Sequence, residues 1–473
     1  MVKKYIFPLL LLAAGLSEAS AQDTTPSLQA IAWRKYAAQG GPLTALRRPE
    51  AYLQAGTATD STAPLYLLLG DLYLDMGKTD SARIAFNAVL KAVQAPLLQA
   101  DAREGLSRCA VQAGAAHLAL PLQLQVLRTR ERLLGRDSLP TGYAALGLGE
   151  VYLALGDTTR AAPFFDYAWR VYQAGLPTQD PALAPAYQAR GKWLAAQNRP
   201  AEALAFYDTA YALLKAGPDG KTPKMAQLLR DRAEVYAAKK QYASAFEQYS
   251  RAARVLEGFY GTIQPCIAPL SHRKGDMLRA QHNLRGAAEN YREALHYYGP
   301  TPSPEHATLH YKIGCCMESL GMEEVAARLY DSVRTLLAVL PEPLLFAQTA
   351  ERSGSILARQ GNYARALPFF RQATQAYSTR PTREARHGLL RARNGELLCY
   401  LNLRQWANAR TALTLSEEIL QSPFPFSAMD KAEVLKLKAL LEAGVGHPEP
   451  ALAWVRKSLG LLWPDRDRSE SVV

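Results

Sequence analysis

An alanine recurs down this chain at Ala82, Ala119, Ala161, Ala203, Ala245, Ala287, Ala326, Ala366, Ala409 and Ala451, and the four gaps from Ala119 to Ala287 are each 42 residues. A single closed core has no reason to repeat at so long and strict a period. A stack of helical hairpins does, because each hairpin buries its apolar face on its neighbours. Twelve residues before the alanine stands a small residue in most units: Gly70, Ser107, Gly149, Gly191, Ala233, Gly275, Gly314 and Gly354. Four residues after it stands a ring: Phe86, Phe165, Tyr207, Tyr249, Tyr291, Tyr330 and Phe370. Two antiparallel helices approach closely only where side chains are small. The spacing therefore predicts that Ala203 faces Gly191 at its crossing, with the ring filling the gap one turn away.

The third unit, with Ala145, Leu148, Gly149, Tyr152, Gly156, Ala161, Phe165 and Ala168, resembles the tetratricopeptide repeat. The tryptophan slot of that family is degenerate here, holding Tyr66, Ala145, Tyr187 and His310. Such a unit usually runs to about 34 residues. The longer unit here is similar to that of kinesin light chains, with an extended second helix and a Gly…Pro loop before the next unit. Matching loops are Gly135…Pro140, Gly175…Pro181, Gly217…Pro223 and Gly261…Pro265, with prolines 41, 42 and 42 residues apart. The resemblance implies an all-α, right-handed superhelical solenoid of about ten helix–turn–helix units over residues 63–462, built to bind other proteins. A helical cap is expected over 22–62 and a disordered charged tail over 463–473.

Composition agrees with helices. Hydrophobic residues make up 48% of the chain, with little of the strict alternation that marks strands. At the start, Lys3 and Lys4 precede an apolar run from Tyr5 to Leu16, followed by Ala19-Ser20-Ala21. A positive start, a short apolar middle and a small-x-small site read as a secretory leader over residues 1–21. That run falls short of the roughly 20 residues a bilayer span requires. The expectation is an exported protein, periplasmic or secreted from a bacterial envelope, with Gln22 first in the mature chain.

Five cysteines are set against that oxidising compartment. Cys109, Cys316 and Cys399 fall two residues after the glycine slot and read as small core residues. Cys266 falls in a loop, and Cys315 points to the inner groove.

The chemical motifs fail on inspection. Gly220-Lys221-Thr222 lacks the first glycine of a phosphate loop, since Lys215 stands in its place, and Pro223 follows at once. His306 and His310 have the spacing of a helical zinc pair, but Ala307 stands where a catalytic glutamate would be. No serine elbow occurs. The chain is therefore expected to be no enzyme and to need no metal or cofactor.

The formal charge of +12 falls to +11 without Lys3, Lys4 and Glu18. The basic residues are dispersed rather than run together, which argues against nucleic acid. Binding is expected on the inner face of the first helices, through residues three before, one after and four to five after the glycine slot. That face reads Leu67, Leu74, Leu146 and Leu153 at first, then Gln188, Lys192, Arg230, Glu234, His272, Asp276, Arg279, Tyr311 and Glu318, and last Leu398, Leu401 and Leu440. Gln188, Lys192, Arg230, His272, Arg279 and Tyr311 are the candidate site for a protein or an extended peptide with acidic groups. The asparagine-plus-lysine clamp of chaperone-binding tetratricopeptide domains is not present. On the last helix Ala451, Val455 and Leu462 are expected to pack inward. Leu452, Leu459 and Trp463 would then form an outward stripe for self-association or docking. The reading is an exported, non-enzymatic interaction scaffold; the alternative is the sensor arm of an envelope signalling system with a separate output protein.

Overall fold

Ten helical hairpins follow one another in the computed structural model, which describes residues 58–60, 63–260, 265–340, 342–380 and 382–463. The leader, nearly all of the 22–62 cap and the tail beyond Trp463 lie outside the described residues. In the first five hairpins α1 (Ala63–Asp75) pairs with α2 (Thr79–Ala92), α3 (Pro96–Gln112) with α4 (Ala116–Leu134), α5 (Leu139–Ala154) with α6 (Thr158–Gly175), α7 (Ala184–Ala196) with α8 (Pro200–Ala216), and α9 (Pro223–Ala238) with α10 (Tyr242–Tyr260). Next come α11 (Ala268–Ala280) and α12 (Leu284–Tyr298), α13 (Pro304–Ser319) and α14 (Glu323–Val339), and α15 (Pro343–Arg359) and α16 (Tyr363–Ser378). The series ends with α17 (Arg383–Asn402) and α18 (Trp406–Leu420), then α19 (Ala428–Val445) and α20 (Pro448–Leu462). Among the described residues there is no strand. The loop prolines open the following helical element: Pro223 begins α9, Pro140 lies in the first turn of α5, and Pro181 and Pro265 begin short 3-10 turns. Proline suits that place because its missing N–H is one that no helix start can satisfy internally.

The described residues form two compact units. Unit 1 runs to Met277 and takes in His296–Gly299; unit 2 comprises Leu278–Leu295 and the residues from Pro300 onward.

The repeat alanines are buried, as their period requires. The glycine slot works differently from the expected crossing of Gly191 on Ala203. A Cβ added to Gly191 would overlap the Tyr207 ring, and at Gly149 and Gly314 it would sit 2.6 Å from Phe165 and Tyr330. Each glycine thus makes room for the ring of its own hairpin, and the alanine packs beside that contact. Some rings are held from both sides. A Cβ on Gly70 or Gly105 would strike Phe86, and one on Gly395 would strike Phe370. In the second hairpin the ring slot holds Gln123, which is 1% exposed and donates from Nε2 to the Ala144 carbonyl at 3.0 Å. The bond offsets the cost of placing an amide where the other units bury a ring.

A second ten-fold register lies in the hairpin turns. Gly77, Gly114, Gly156, Asn198, Lys240, His282, Gly321, Gly361, Arg404 and Gly446 all have positive φ. One left-handed residue reverses the chain between the two helices each time. Glycine takes that conformation without strain, whereas lysine, histidine and arginine do so at a cost.

All five cysteines are free thiols, with Cys109, Cys316 and Cys399 buried as expected. Burial pushes the Cys109 thiol up to about 11 and the Cys399 thiol to about 12.

On α20, Ala451 is buried, but Val455 and Leu462 are exposed, contrary to the expected inward pair. The inner line runs instead from Ala451 to Ser458, whose hydroxyl donates to the Ala432 carbonyl at 2.9 Å. Val455 stands at the offset that buries a ring in the other hairpins, and it is exposed here because no described helix follows α20 to cover that side. Leu452, Leu459 and Trp463 are exposed at 52%, 42% and 57%.

Candidate functional site

In unit 1 the first helices of successive hairpins are joined by polar pairs about one repeat apart. Arg108 on α3 reaches Asp71 and Asp75 on α1, at 2.9 and 3.4 Å. Lys192 on α7 meets Glu150 on α5 at 2.6 Å and Asp231 on α9 at 3.5 Å. Gln188 donates to the same Asp231 at 2.6 Å. Arg130 from α4 is almost wholly buried and binds Asp101 and Glu104 at 2.7 and 2.8 Å. Each of these cations is shared by two carboxylates. Burial alone would pull the Lys192 ammonium down, but Asp231 and Glu150 outweigh it and hold it above its ordinary value. Loss of water pushes the Glu104 carboxyl up against the opposing pull of Arg130.

The expected basic strip is therefore neutralised at two of its positions. Lys192 is occupied as described, and Arg230 lies 3.8 Å from Asp231. His272 lies 3.8 Å from Asp276 on its own helix. Leu67, Leu74 and Leu146, expected to line the start of the face, are buried instead. The exposed ring of this region is Tyr143, at 42%.

In unit 2 the carboxylates gather the donors, and Arg359 alone among these cations bridges two carboxylates. Glu318 on α13 accepts from the Tyr330 hydroxyl and from Arg359, each at 2.8 Å, with Arg352 at 3.6 Å. Arg359 reaches on to Glu323. Glu351 on α15 accepts from Tyr377 at 2.7 Å and from Arg391 at 2.6 and 3.2 Å. Glu396 accepts from Thr374 and Arg393, both at 2.7 Å. Here one carboxylate is held by two or more donors. The Tyr330 phenol is raised far above its ordinary value by burial, then by Cys315 and Glu318. Tyr311 packs against the Tyr330 ring at 5.9 Å between centroids, next to Cys315 and Arg352. Arg279 is exposed on α11. Of the expected apolar end, Leu398 is half-buried, Leu401 is buried and Leu440 is exposed.

The six candidate residues are thus divided: Gln188, Lys192, Arg230 and His272 in unit 1, Arg279 and Tyr311 in unit 2. Asp231, Glu104 with Arg130, Tyr143, and the set Glu351–Tyr377–Arg391 escaped the sequence reading. Opposite charges one repeat apart were the available signal, because Arg108–Asp71, Lys192–Glu150, Arg359–Glu318 and Arg391–Glu351 are separated by 37, 42, 41 and 40 residues. Asp231 lies two residues before the glycine slot, off the three positions taken to face inward. Among the described residues no three His, Cys, Asp or Glu side chains converge as a metal site, and no helix is long and apolar enough to cross a membrane.

Residues 67–131 and 127–170 match the family model of the tetratricopeptide repeat. Among solved structures, the apo form of RapI is similar with a TM-score of 0.55 at 14% identity, over 77% of this chain and 97% of its own. That likeness is one of fold. The apo quorum sensor NprR from B. thuringiensis gives a TM-score of 0.47 at 13% identity, over 77% of this chain and 99% of its own. Kinesin-light-chain repeats from Podosopora anserina give 0.28 at 15% identity, over 52% of this chain and 97% of theirs. A search of curated proteins finds no match.

Proposed function

We propose that this tetratricopeptide-repeat protein is an exported, non-enzymatic scaffold whose inner faces hold extended segments of partner proteins. The ladder of inter-repeat pairs carries the reading. Arg108, Asp71, Asp75 and Glu150 each keep between 36% and 41% of the side chain exposed while tied to a neighbour one repeat away. A polar surface ordered in advance loses less entropy when a partner arrives. Sharing decides the partner's chemistry. The inner face around Arg108, where one cation meets Asp71 and Asp75 and Glu150 stands near, suits a segment rich in lysine or arginine. Unit 2, around Arg279, Tyr311 and Arg352, suits the acidic segment. The exposed stripe of Leu452, Leu459 and Trp463 is a further docking surface, open to a second copy. Export rests on Lys3, Lys4, the apolar run and Ala19-Ser20-Ala21.

A photo-crosslinking residue in place of Tyr143, set against one in place of the outer-helix residue Ile84, tests the binding face. Partners should be trapped from the first position and not the second; equal yields would remove the inner face from consideration. Hexalysine and hexaglutamate, titrated against the whole chain and against Asp71→Asn with Glu150→Gln, test the charge preference. Hexalysine should bind more tightly and lose affinity in the double variant. N-terminal sequencing of protein exported from a bacterial host should begin at Gln22, and retention of Met1 would overturn the leader.

A further inference from the structure

The outer side of α20 is a face that earlier hairpins cover. Four and eleven residues after the repeat alanine, second helices carry side chains such as Phe86, Phe370 and Tyr377, all of them buried. The first helix of the next hairpin closes over them. A Cβ on Gly105 of α3 would strike Phe86, and on α17 one on Gly395 would strike Phe370 and one on Gly388 would strike Tyr377. On α20 the same two offsets from Ala451 hold Val455 and Leu462, and both are exposed. They adjoin the stripe of Leu452, Leu459 and Trp463. Of the sixteen large exposed hydrophobic side chains among the described residues, six lie between Leu452 and Trp463, and the rest are spread from Ile84 to Leu440. So dense a patch marks an interaction surface.

We propose that this stripe pairs with the same stripe of a second copy, the two α20 helices running antiparallel about a two-fold axis. The side chains at the two offsets favour that occupant first. Val455 and Leu462 are not rings, so the covering helix needs no glycine notch of the kind that Gly105, Gly388 and Gly395 supply, and α20 itself qualifies. Head-to-tail stacking finds no seat at the first hairpin. On α1, Tyr66, Leu67, Leu68, Leu69, Tyr73 and Leu74 are already buried. The turn after α1 rests against Cys266, to whose backbone nitrogen a Cβ on Gly77 would come within 3.4 Å. A pair in which each copy offers the same stripe is isologous and stops at two. Charge then sets the direction. Glu449 and Arg456, both exposed, stand seven residues apart along one edge of the stripe. Antiparallel, Glu449 of each copy meets Arg456 of the other, whereas parallel helices would set like charges side by side. That register centres the pair near Leu452 and lays Leu459 and Trp463 of each copy over the α19–α20 turn of the other. The pairing rests on the docking role given to this stripe above and is independent of the inner faces.

Light scattering on the chain from Gln22 onward, from about 1 to 100 μM, tests it. The mass should rise from one chain to two and stop there. Leu452→Glu with Leu459→Glu should weaken the pair about a hundredfold. Glu449→Lys should weaken it about tenfold, and Arg456→Glu added to that variant should restore it, because the swap rebuilds both cross-copy pairs. Hexalysine binding, measured on the same variants, should not change, so that loss of pairing is told apart from loss of the inner-face reading. A monomer at every concentration would overturn the pairing, as would a mass that climbs beyond two chains or a charge swap that fails to restore what Glu449→Lys removes. A monomer whose amides at 452–463 lose hydrogen-exchange protection when residues 464–473 are deleted would overturn it in favour of the chain's own tail.

Discussion

Unit 1 and unit 2 are built from the same hairpin and differ in how their most buried charges are shared, although Asp231 in unit 1 also gathers Gln188, Lys192 and Arg230, and Arg359 in unit 2 also bridges Glu318 and Glu323. Unit 1 places one cation between two carboxylates, at Arg108, Lys192 and Arg130. Unit 2 places one carboxylate among several donors, at Glu318, Glu351 and Glu396. Tyrosine serves both units: Tyr330 reaches past Gly314 to Glu318 and Tyr377 reaches Glu351 in unit 2, while Tyr249 meets Glu234 and Tyr297 donates to Glu257 in unit 1. The hairpin repeat therefore sets where charges stand, and the partners on neighbouring helices decide which sign is left over. A surplus of carboxylates invites a basic segment, and a surplus of donors invites an acidic one.

Breaking the shared pair at the buried end of each unit should give the largest effect. Arg130→Ala strands Glu104 and is expected to cost about 3–5 kcal/mol, the usual penalty for an unpaired buried charge. In unit 2, Glu351→Gln keeps an acceptor for Tyr377, and Arg391 is 55% exposed to water. That change should cost about 1–2 kcal/mol. Denaturant titrations followed by circular dichroism measure both. Equal losses would mean that the two sharing schemes do not differ in energy.

The glycine slots sharpen the comparison at the packing level. A Cβ at Gly191 overlaps Tyr207, whereas one at Gly354 would stand 3.2 Å from Phe370, a tight contact that a small shift of the ring relieves. Gly191→Ala should cost about 1–3 kcal/mol, and Gly354→Ala less than about 1 kcal/mol. Ala203→Leu, at a fully buried position, belongs with the larger group. If the two glycine variants melt together, the rings have more room to yield than their contacts indicate.

Turn residues give a smaller effect of the opposite sign. Lys240 in unit 1 and Arg404 in unit 2 hold φ of 58° and 56°. Replacing either by glycine removes left-handed strain and should stabilise its hairpin by about 0.5–1 kcal/mol, net of glycine's greater entropy when unfolded. Gly361→Ala in unit 2 should move the other way by a similar amount. The smallest effect is expected on α20. Leu459→Glu with Trp463→Glu should leave stability within about 0.5 kcal/mol, since both side chains are exposed. Light scattering on the same pair then reports whether the stripe joins copies.

How far the fold could be read ahead is visible residue by residue. Ala82 to Ala451 marked all ten hairpins, including the second, where Gln123 replaces the ring, and the ninth and tenth, where Leu413 and Val455 do. The cysteines two places after the glycine slot went to the core. These readings succeeded because a helix has a fixed angular period and a hairpin packs on its nearest neighbours, so burial is written into local spacing. Val455 marks the limit: its spacing is that of the buried ring slot elsewhere, and whether the slot is buried depends on a neighbouring helix covering it, which spacing does not record. The binding faces were less legible. Lys192 and Arg230 stood at the expected places, but their charge could not be valued without Asp231 and Glu150.

The sequence by itself determined the helical hairpin, its number, its buried alanines and rings, and the absence of any recognisable catalytic motif. Only the tertiary structure decided which carboxylate meets which cation, that glycines receive rings rather than alanines, and that Gly77 comes to rest against Cys266. The reason is one of range. Periodicity and burial are nearest-neighbour properties, recorded every few residues along the chain. The pairing of flexible charged side chains across repeats, and the meeting of the first turn with the segment after the fifth hairpin, depend on small rotations between hairpins that accumulate over the stack and leave no mark in any one of them.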